Sequence, residues 1–324
     1  MRDMTVLLQI GALFLLMTAG FALGKLRVID QAATKGMSSL IIKATLPALI
    51  LTSLQRPFSR ELLGSALETL GLSFLFYGAI IALSILAVRV LKVPGQKAGI
   101  LAFSLSFSNC GFIGFPVVTS ILGDDALFLT SISNIPFNLL AFSAGIIIVE
   151  KVGKALLAPN KPVKKGIRAR VKDIPFGHLA NANVIAAVIG FTLFVSSITL
   201  PRFIALPVGM LGSVTTPLAM VVTGAMLART PIRTVLGDWL IYVATAIRLA
   251  LWPAITAVAL WAFGVRGEVF FITVIIAGMP AASNTSLIAE VYGGDTETAS
   301  AVVFMTTLFS VVTIPLMALV LGRF

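Results

Sequence analysis

The sequence predicts an all-α integral membrane protein with ten transmembrane helices, built as two inverted five-helix repeats whose fourth and ninth helices are broken. Three observations predict it. Hydrophobic residues fill 58% of the 324 positions and charged residues only 11%, with a mean hydropathy of +1.04, whereas a soluble domain is about 45–50% apolar and about 25% charged. Apolar runs near bilayer length recur ten times. Short motifs repeat at one fixed separation along the chain. This composition excludes a cytosolic enzyme, a disordered regulator and a secreted disulfide scaffold, and the single cysteine, Cys110, allows no internal disulfide.

The first five runs fall at about 5–23, 37–54, 67–90, 98–122 and 126–149, the second five at about 184–200, 206–227, 239–263, 269–292 and 298–321. The side chains of the opening Met1-Arg-Asp-Met4 carry no net charge, and Lys25 and Arg27 follow the first run. That pattern reads as a retained helix with its N-terminus outside rather than a cleaved signal peptide. Residues 1–150 form the first repeat, 151–182 a basic linker and 183–324 the second repeat. The linker carries Lys151, Lys154, Lys161, Lys164, Lys165, Arg168, Arg170 and Lys172 among Pro159, Pro162 and Pro175. Odd-numbered connections hold 16 Lys and Arg, the even-numbered ones and the two ends only 6. Basic residues collect on the cytoplasmic side, so both termini face out and the linker faces the cytoplasm of a cytoplasmic (inner) membrane. The net charge of +11 is then a mark of topology and does not call for nucleic acid.

The repeats show in two motif pairs. Leu46-Pro47-Ala48 matches Thr216-Pro217-Leu218, and the Ile-Leu-Gly-Asp-Asp run ending at Asp125 matches the Val-Tyr-Gly-Gly-Asp run ending at Asp295, both 170 residues apart. Five helices is an odd number, so the second copy lies upside down. Inverted repeats are the architecture of secondary transporters, with the substrate near the midplane between them.

The chemistry is expected in the fourth and ninth helices. The fourth reads Ser-Phe-Ser-Asn-Cys-Gly-Phe-Ile-Gly-Phe-Pro from Ser106 to Pro116; the ninth reads Ala-Gly-Met-Pro-Ala-Ala-Ser-Asn-Thr-Ser from Ala277 to Ser286. Proline lacks the N–H that a helix needs and glycine loosens the turn. Interrupted backbone at membrane depth survives only where protein buries it or where it lines a wet cavity. Two breaks at matching places therefore point to a transport site. A broken helix presents a half-helix N-terminus with a partial positive charge. Asn109 and Asn284 add neutral amides, and the combination suits a small organic anion. Cys110 reads as a small packing residue, because nothing near it in sequence would activate a thiol.

The stretch Asn109-Cys-Gly-Phe-Ile-Gly-Phe-Pro-Val117 resembles the fourth-helix motif of the auxin efflux carrier family, which includes plant carriers and bacterial malonate or malate carriers. The run from Ala289 to Phe304, continuing to Thr313-Ile-Pro315, is similar to that family's ninth and tenth helices. The resemblance spans essentially the whole chain. It implies ten helices, both ends outside, and a crossing of the fourth and ninth helices that binds the substrate. It carries the crossover Asn and Pro onto Asn109 and Pro116, and the ninth-helix Pro onto Pro280. Two departures stand out. The sixth helix begins Asn181-Ala182 where the family has Asn-Pro, a change expected to affect only the start of that helix. Thr285 stands where the plant carriers have a second proline, which argues against a plant-like auxin site.

The expected function is secondary transport of a small organic anion, a dicarboxylate or an auxin-like carboxylate, by alternating access. The substrate-binding set is Asn109, Gly111, Gly114, Pro116, Pro280 and Asn284, with Gly111 and Gly114 allowing the helices to cross closely. Lys43, Pro47, Pro217, Arg248 and Glu290 are supporting or coupling candidates. Arg248 lies mid-helix, and intramembrane charges are functional candidates by default; it is read either as holding a substrate carboxylate or as pairing with an acid. Asp125 and Asp295 read as turn or cap residues. No cofactor or metal is expected, and a proton or sodium ion is left open as the coupling ion. The partners are the anion and the lipid bilayer, with a homodimer left open. A channel and a sodium-coupled bile-acid-type symporter are the alternatives. An intramembrane enzyme fits less well: His178 sits in a polar stretch, and Gly293-Gly294-Asp295 lacks the spacing of an aspartyl protease.

Overall fold

The computed structural model describes residues 2–150, 181–230 and 237–321. The basic linker up to residue 180, with His178, lies outside the described residues, as does Arg233. The described chain folds into helices α1 (Met4–Lys25), α2 (Gln31–Ser53), α3 (Arg60–Val90), α4a (Gly95–Ser106), α4b (Cys110–Leu122), α5 (Asp124–Glu150), α6 (Ala182–Val195), α7 (Arg202–Leu227), α8 (Trp239–Ala262), α9a (Gly267–Ala277), α9b (Thr285–Tyr292) and α10 (Thr296–Leu321). Seven of these (α1, α2, α3, α5, α7, α8 and α10) are long and apolar enough to cross a membrane. The protein is an all-helical, membrane-spanning one. Large apolar side chains such as Leu15, Leu75, Val90, Leu206 and Val258 stay exposed around the outside, where lipid rather than water is their natural solvent.

Local chemistry sets the ends. Asp30, Ser59, Asn181 and Asp238 each accept a hydrogen bond from a backbone N–H in the first turn of α2, α3, α6 and α8, and Asp295 does the same for Thr298 at 3.0 Å. Such caps satisfy donors that the helix leaves free. The Ser59 cap starts α3 at Arg60, ahead of the apolar run that opens at about residue 67. The sixth run is cut short in the other direction: Ser197 turns to a φ of 56° and ends α6 at Val195.

Three of the prolines inside helices share one device. Ahead of Pro47, Pro116 and Pro253 the helix widens into a π turn at Ile41–Thr45, Cys110–Gly114 and Ile247–Leu251. The N–H just before each proline then bonds five residues back, as Leu46 does to the Ile41 carbonyl. The widened turn relieves the clash between the proline ring and the carbonyl four residues earlier. Pro217 instead falls in the first turn after α7 is interrupted at Val214.

The tightest packing joins α1 to α7. A Cβ on Gly20 would lie 2.1 Å from the Val221 carbonyl oxygen, and one on Gly224 would lie 1.9 Å from that of Met17. Small residues let membrane helices approach backbone to backbone. Elsewhere α6 packs on the second half of α2, α3 on α4a and α5, and α10 on α4a, α8 and α9b. Polar contacts gather the connections into two groups. Arg229, after α7, donates to the carbonyl of Ile29, after α1, at 2.7 Å, and Lys97, after α3, pairs with Asp238, after α7, at 2.6 Å. In the other group Arg56, after α2, pairs with Asp125, after α4b, at 2.5 Å, and the N–H of Leu200, after α6, donates to Gln55 at 2.9 Å. Asp295 thus serves as a cap, as the sequence suggested, while Asp125 lies in the first turn of α5 and pairs with Arg56.

Candidate functional site

The break in α4 spans Phe107–Asn109. Phe107 is extended and Asn109 leaves the helical region at φ −78°, ψ 62°. The break in α9 runs from Gly278 to Asn284. The two breaks pass each other antiparallel, with Ser108 opposite Ala281. The N–H of Asn109 donates to the Pro280 carbonyl at 2.8 Å, and the N–H of Ala282 donates to that of Phe107 at 3.1 Å. Thr306 of α10 accepts from the N–H of Ala281 at 3.1 Å. Backbone groups released from both helices are therefore paired across the crossing, as buried backbone must be.

A cavity of about 90 Å³ opens beside the crossing. At roughly 10–15 Å³ per water it has room for on the order of six waters, the scale of a small organic acid. The start of α4b (Asn109, Cys110, Gly111, Phe112) and the start of α9b (Ser283, Asn284) form one wall. Asn134, Asn138 and Phe137 of α5 and Asn181 and Asn183 at the head of α6 form another. Asparagine is the recurring lining residue, six times, and Asp, Glu, Lys, Arg and His are absent from the described lining. Asn109 donates to the Ser283 hydroxyl at 2.6 Å while its carbonyl oxygen caps Phe112 at 3.2 Å. Across the cavity the amides form a chain: Asn181 donates to Asn138 at 3.1 Å, and Asn138 donates to both the side-chain and backbone oxygens of Asn134.

The candidates divide accordingly. Asn109, Gly111 and Asn284 line the cavity; Pro116 is buried in the first turn of the α-helical part of α4b, and Pro280 gives its carbonyl to the crossing. Gly111 is crowded by Leu46 of α2, 3.1 Å from where a Cβ would stand, whereas a Cβ on Gly114 would meet nothing closer than 3.5 Å. Gly111 thus fits closely against α2, while Gly114 has ordinary van der Waals room toward Asn109, Cys110 and Met279. Lys43, Pro217 and Glu290 are exposed and do not line the cavity. Pro47 is half-buried next to the lining residue Leu46.

Arg248 departs from the reading in which it pairs with an acid. It is buried at 1% exposure, and no carboxylate among the described residues pairs with it. Its Nη1 donates to the Leu105 carbonyl at 2.9 Å and its Nε to the Met279 carbonyl at 3.0 Å. Asn181 also departs from expectation: it does cap α6, but its amide also joins the cavity wall. The sequence reading missed Asn134, Asn138, Asn183 and Ser283. A signal was present for the first two, since amides four residues apart share one face of a helix and polar groups inside a membrane helix seldom face lipid.

A family profile described as membrane transport protein matches residues 5–318. The chain belongs to that family. It is the family that the fourth- and ninth-helix motifs resemble, that of the auxin efflux carriers. The chain is 26% identical over 313 residues to an "Uncharacterized transporter" of Methanothermobacter thermautotrophicus, covering 96% of each. It is 26% identical over 293 residues to a "Putative malonate transporter" of Rhizobium meliloti, covering 89% of this chain and 88% of the relative. A third similar protein, 22% identical over 293 residues, is a transporter of Methanocaldococcus jannaschii. All three relatives are named as transporters.

Proposed function

We propose that this family member is a secondary transporter that moves a small organic anion across the membrane by alternating access between two inverted five-helix repeats. The observation that carries the reading is the crossing itself. Two interrupted helices are tied backbone to backbone, and the N-terminal ends of both second halves open onto one amide-lined cavity. Helix N-termini favour anions, and amides orient a carboxylate without competing for its charge. The small cavity suits a short dicarboxylate better than an indole acid, in keeping with the name of the Rhizobium meliloti relative.

The repeat is supported by backbone features that share its offset. Residues with positive φ follow α1 at Arg27 and α6 at Ser197, and others follow α4b at Gly123 and α9b at Gly293; both pairs are 170 residues apart. Contacts between alternate connections support ten crossings, with α4 and α9 each crossing once as a broken pair. The test is uptake by purified protein in liposomes of malonate, malate, oxalate and an indole acid, under imposed proton, sodium or voltage gradients. Saturable uptake of a short dicarboxylate is expected. Flux that rises linearly without saturation, or no flux of any acid, refutes the reading.

A further inference from the structure

We propose that Arg248 is the positioning residue that sets the charge of this site, and that the site is balanced for an organic acid carrying one net negative charge. The proposal rests on the transport reading above and adds to it the ionic form of the cargo. A lone guanidinium inside a membrane protein needs compensation. Here compensation comes from the peptide backbone, not from a carboxylate. Leu105 lies in the last turn of α4a, and Met279 is the second residue past the end of α9a, its N–H still bonded to the Ile276 carbonyl. Their carbonyls are the negative ends of the two half-helices that lead into the crossing. Each such end carries about half an elementary charge, so one guanidinium offsets both. Trp252 Nε1 donates to the same Leu105 carbonyl at 2.9 Å and fixes the arrangement.

On the cavity side the balance is different. α4b and α9b begin there, each contributing about half a positive charge. Their effect would be cancelled by the neighbouring carbonyl ends if Arg248 did not answer those ends. With Arg248 in place, the field left in the cavity corresponds to about one positive charge. The titratable groups within electrostatic reach of Arg248 are Tyr77 of α3 and Cys110 of α4b, and neither is a carboxylate. The described lining holds no basic side chain to meet a second negative charge, and no acid or histidine to store a proton. A dicarboxylate therefore brings its own proton. Asn183 supplies an independent sign: it lines the cavity, is 7% exposed, and its carbonyl oxygen has no partner among the described residues. The O–H of a half-protonated dicarboxylate is the donor that complements it.

The experiment uses the full-length protein in sodium-free liposomes with malonate as probe and the voltage clamped by a potassium gradient. The reversal potential gives the charge moved per malonate. One charge is expected, with initial rates following the monoanion as pH crosses the second ionisation of malonate. Two charges, or rates that follow the dianion, overturn the proposal while leaving the transport reading intact; no transport of any acid overturns both. Arg248→Gln keeps a donor and removes the charge, and should raise KM for malonate about tenfold, with a smaller change in maximal rate. Arg248→Lys restores the charge but not the planar two-point donor geometry, and should give a KM between those of Arg248→Gln and the native protein. Equal KM in the two variants assigns Arg248 a purely structural role and overturns the proposal. If Arg248→Gln does not insert, the charge number of the native protein decides by itself.

Discussion

Asn109→Asp separates what Asn109 does for the fold from what it does for the substrate. An aspartate is nearly isosteric, and its Oδ1 still accepts from the N–H of Phe112, which Asn109 holds at 3.2 Å. The Ser283 hydroxyl, 2.6 Å away, turns from acceptor to donor. Asp is as good an N-cap as Asn and gains from the helix dipole, which offsets part of the cost of burying a carboxylate at a position 3% exposed, so the protein should stay folded with a melting temperature at or somewhat below the native value. Transport should collapse. In a cavity of about 90 Å³ a bound anion stands on the order of 5 Å from this side chain, and two like charges at that distance repel by about 3 kcal/mol at an effective dielectric constant of about 20. That is a loss of more than a hundredfold in affinity, at about 1.4 kcal/mol per tenfold. The assay is concentration-dependent malonate uptake together with a thermal-stability measurement in detergent. A folded Asn109→Asp protein with a KM within threefold of the native value would show that the substrate does not sit at this crossing.

Other perturbations probe the frame. Gly224→Ala places a methyl group 1.9 Å from the Met17 carbonyl oxygen, so α1 and α7 have to part, at a cost of about 1–3 kcal/mol or more; a clear drop in melting temperature is expected. Gly114→Ala, with no neighbour inside 3.5 Å, should leave the melting temperature nearly unchanged, and a large drop would contradict the packing described. Asn138→Leu severs the amide chain from Asn181 to Asn134 and should raise the KM for malonate, measured by uptake; an unchanged KM would remove that wall from the site. Burial pushes the Asp238 carboxyl up, but the Lys97 ammonium and the Leu240 N–H outweigh it and hold it below the usual carboxylate value. The pair is then fully stabilising above the unfolded carboxylate value of about 3.9 and loses its effect as pH falls through the lower folded value. Because both side chains are partly exposed, the effect is below about 1 kcal/mol. The melting-temperature gap between the native protein and Asp238→Asn should close at low pH, and a gap that persists there would assign the effect to something other than this pair.

Composition and motif spacing were enough to read an all-helical membrane protein and to locate its two broken helices, because both are local properties. Hydropathy follows from each run of residues, and a break follows from Pro, Gly and Asn in one turn. Asn109 was readable for the same reason, as the last polar residue before a helix restarts. The opposite wall was not. Asn134 and Asn138 look like minor polar interruptions in an apolar run until α6 brings Asn181 against them. The partners of Arg248 were not readable because sequence shows side chains and hides backbone: they are the carbonyls of Leu105 and Met279, 143 and 31 residues away. Glu290 and Lys43 attracted attention through charge alone, yet both face outward. Gly20 and Gly224 gave no signal singly; their role exists only where α1 and α7 touch.

That contact has a consequence for biosynthesis. The deepest backbone approach in the described molecule joins α1 to α7, and α6 in turn packs on the second half of α2. Each half of the chain thus completes its packing with a helix of the other. As α1 leaves the ribosome, the surface around Gly20 has no partner, and none arrives until some two hundred residues later, after the basic linker has been made. The groove around Gly20 is filled only once α7 has been made, so the two halves of the chain do not finish their packing separately.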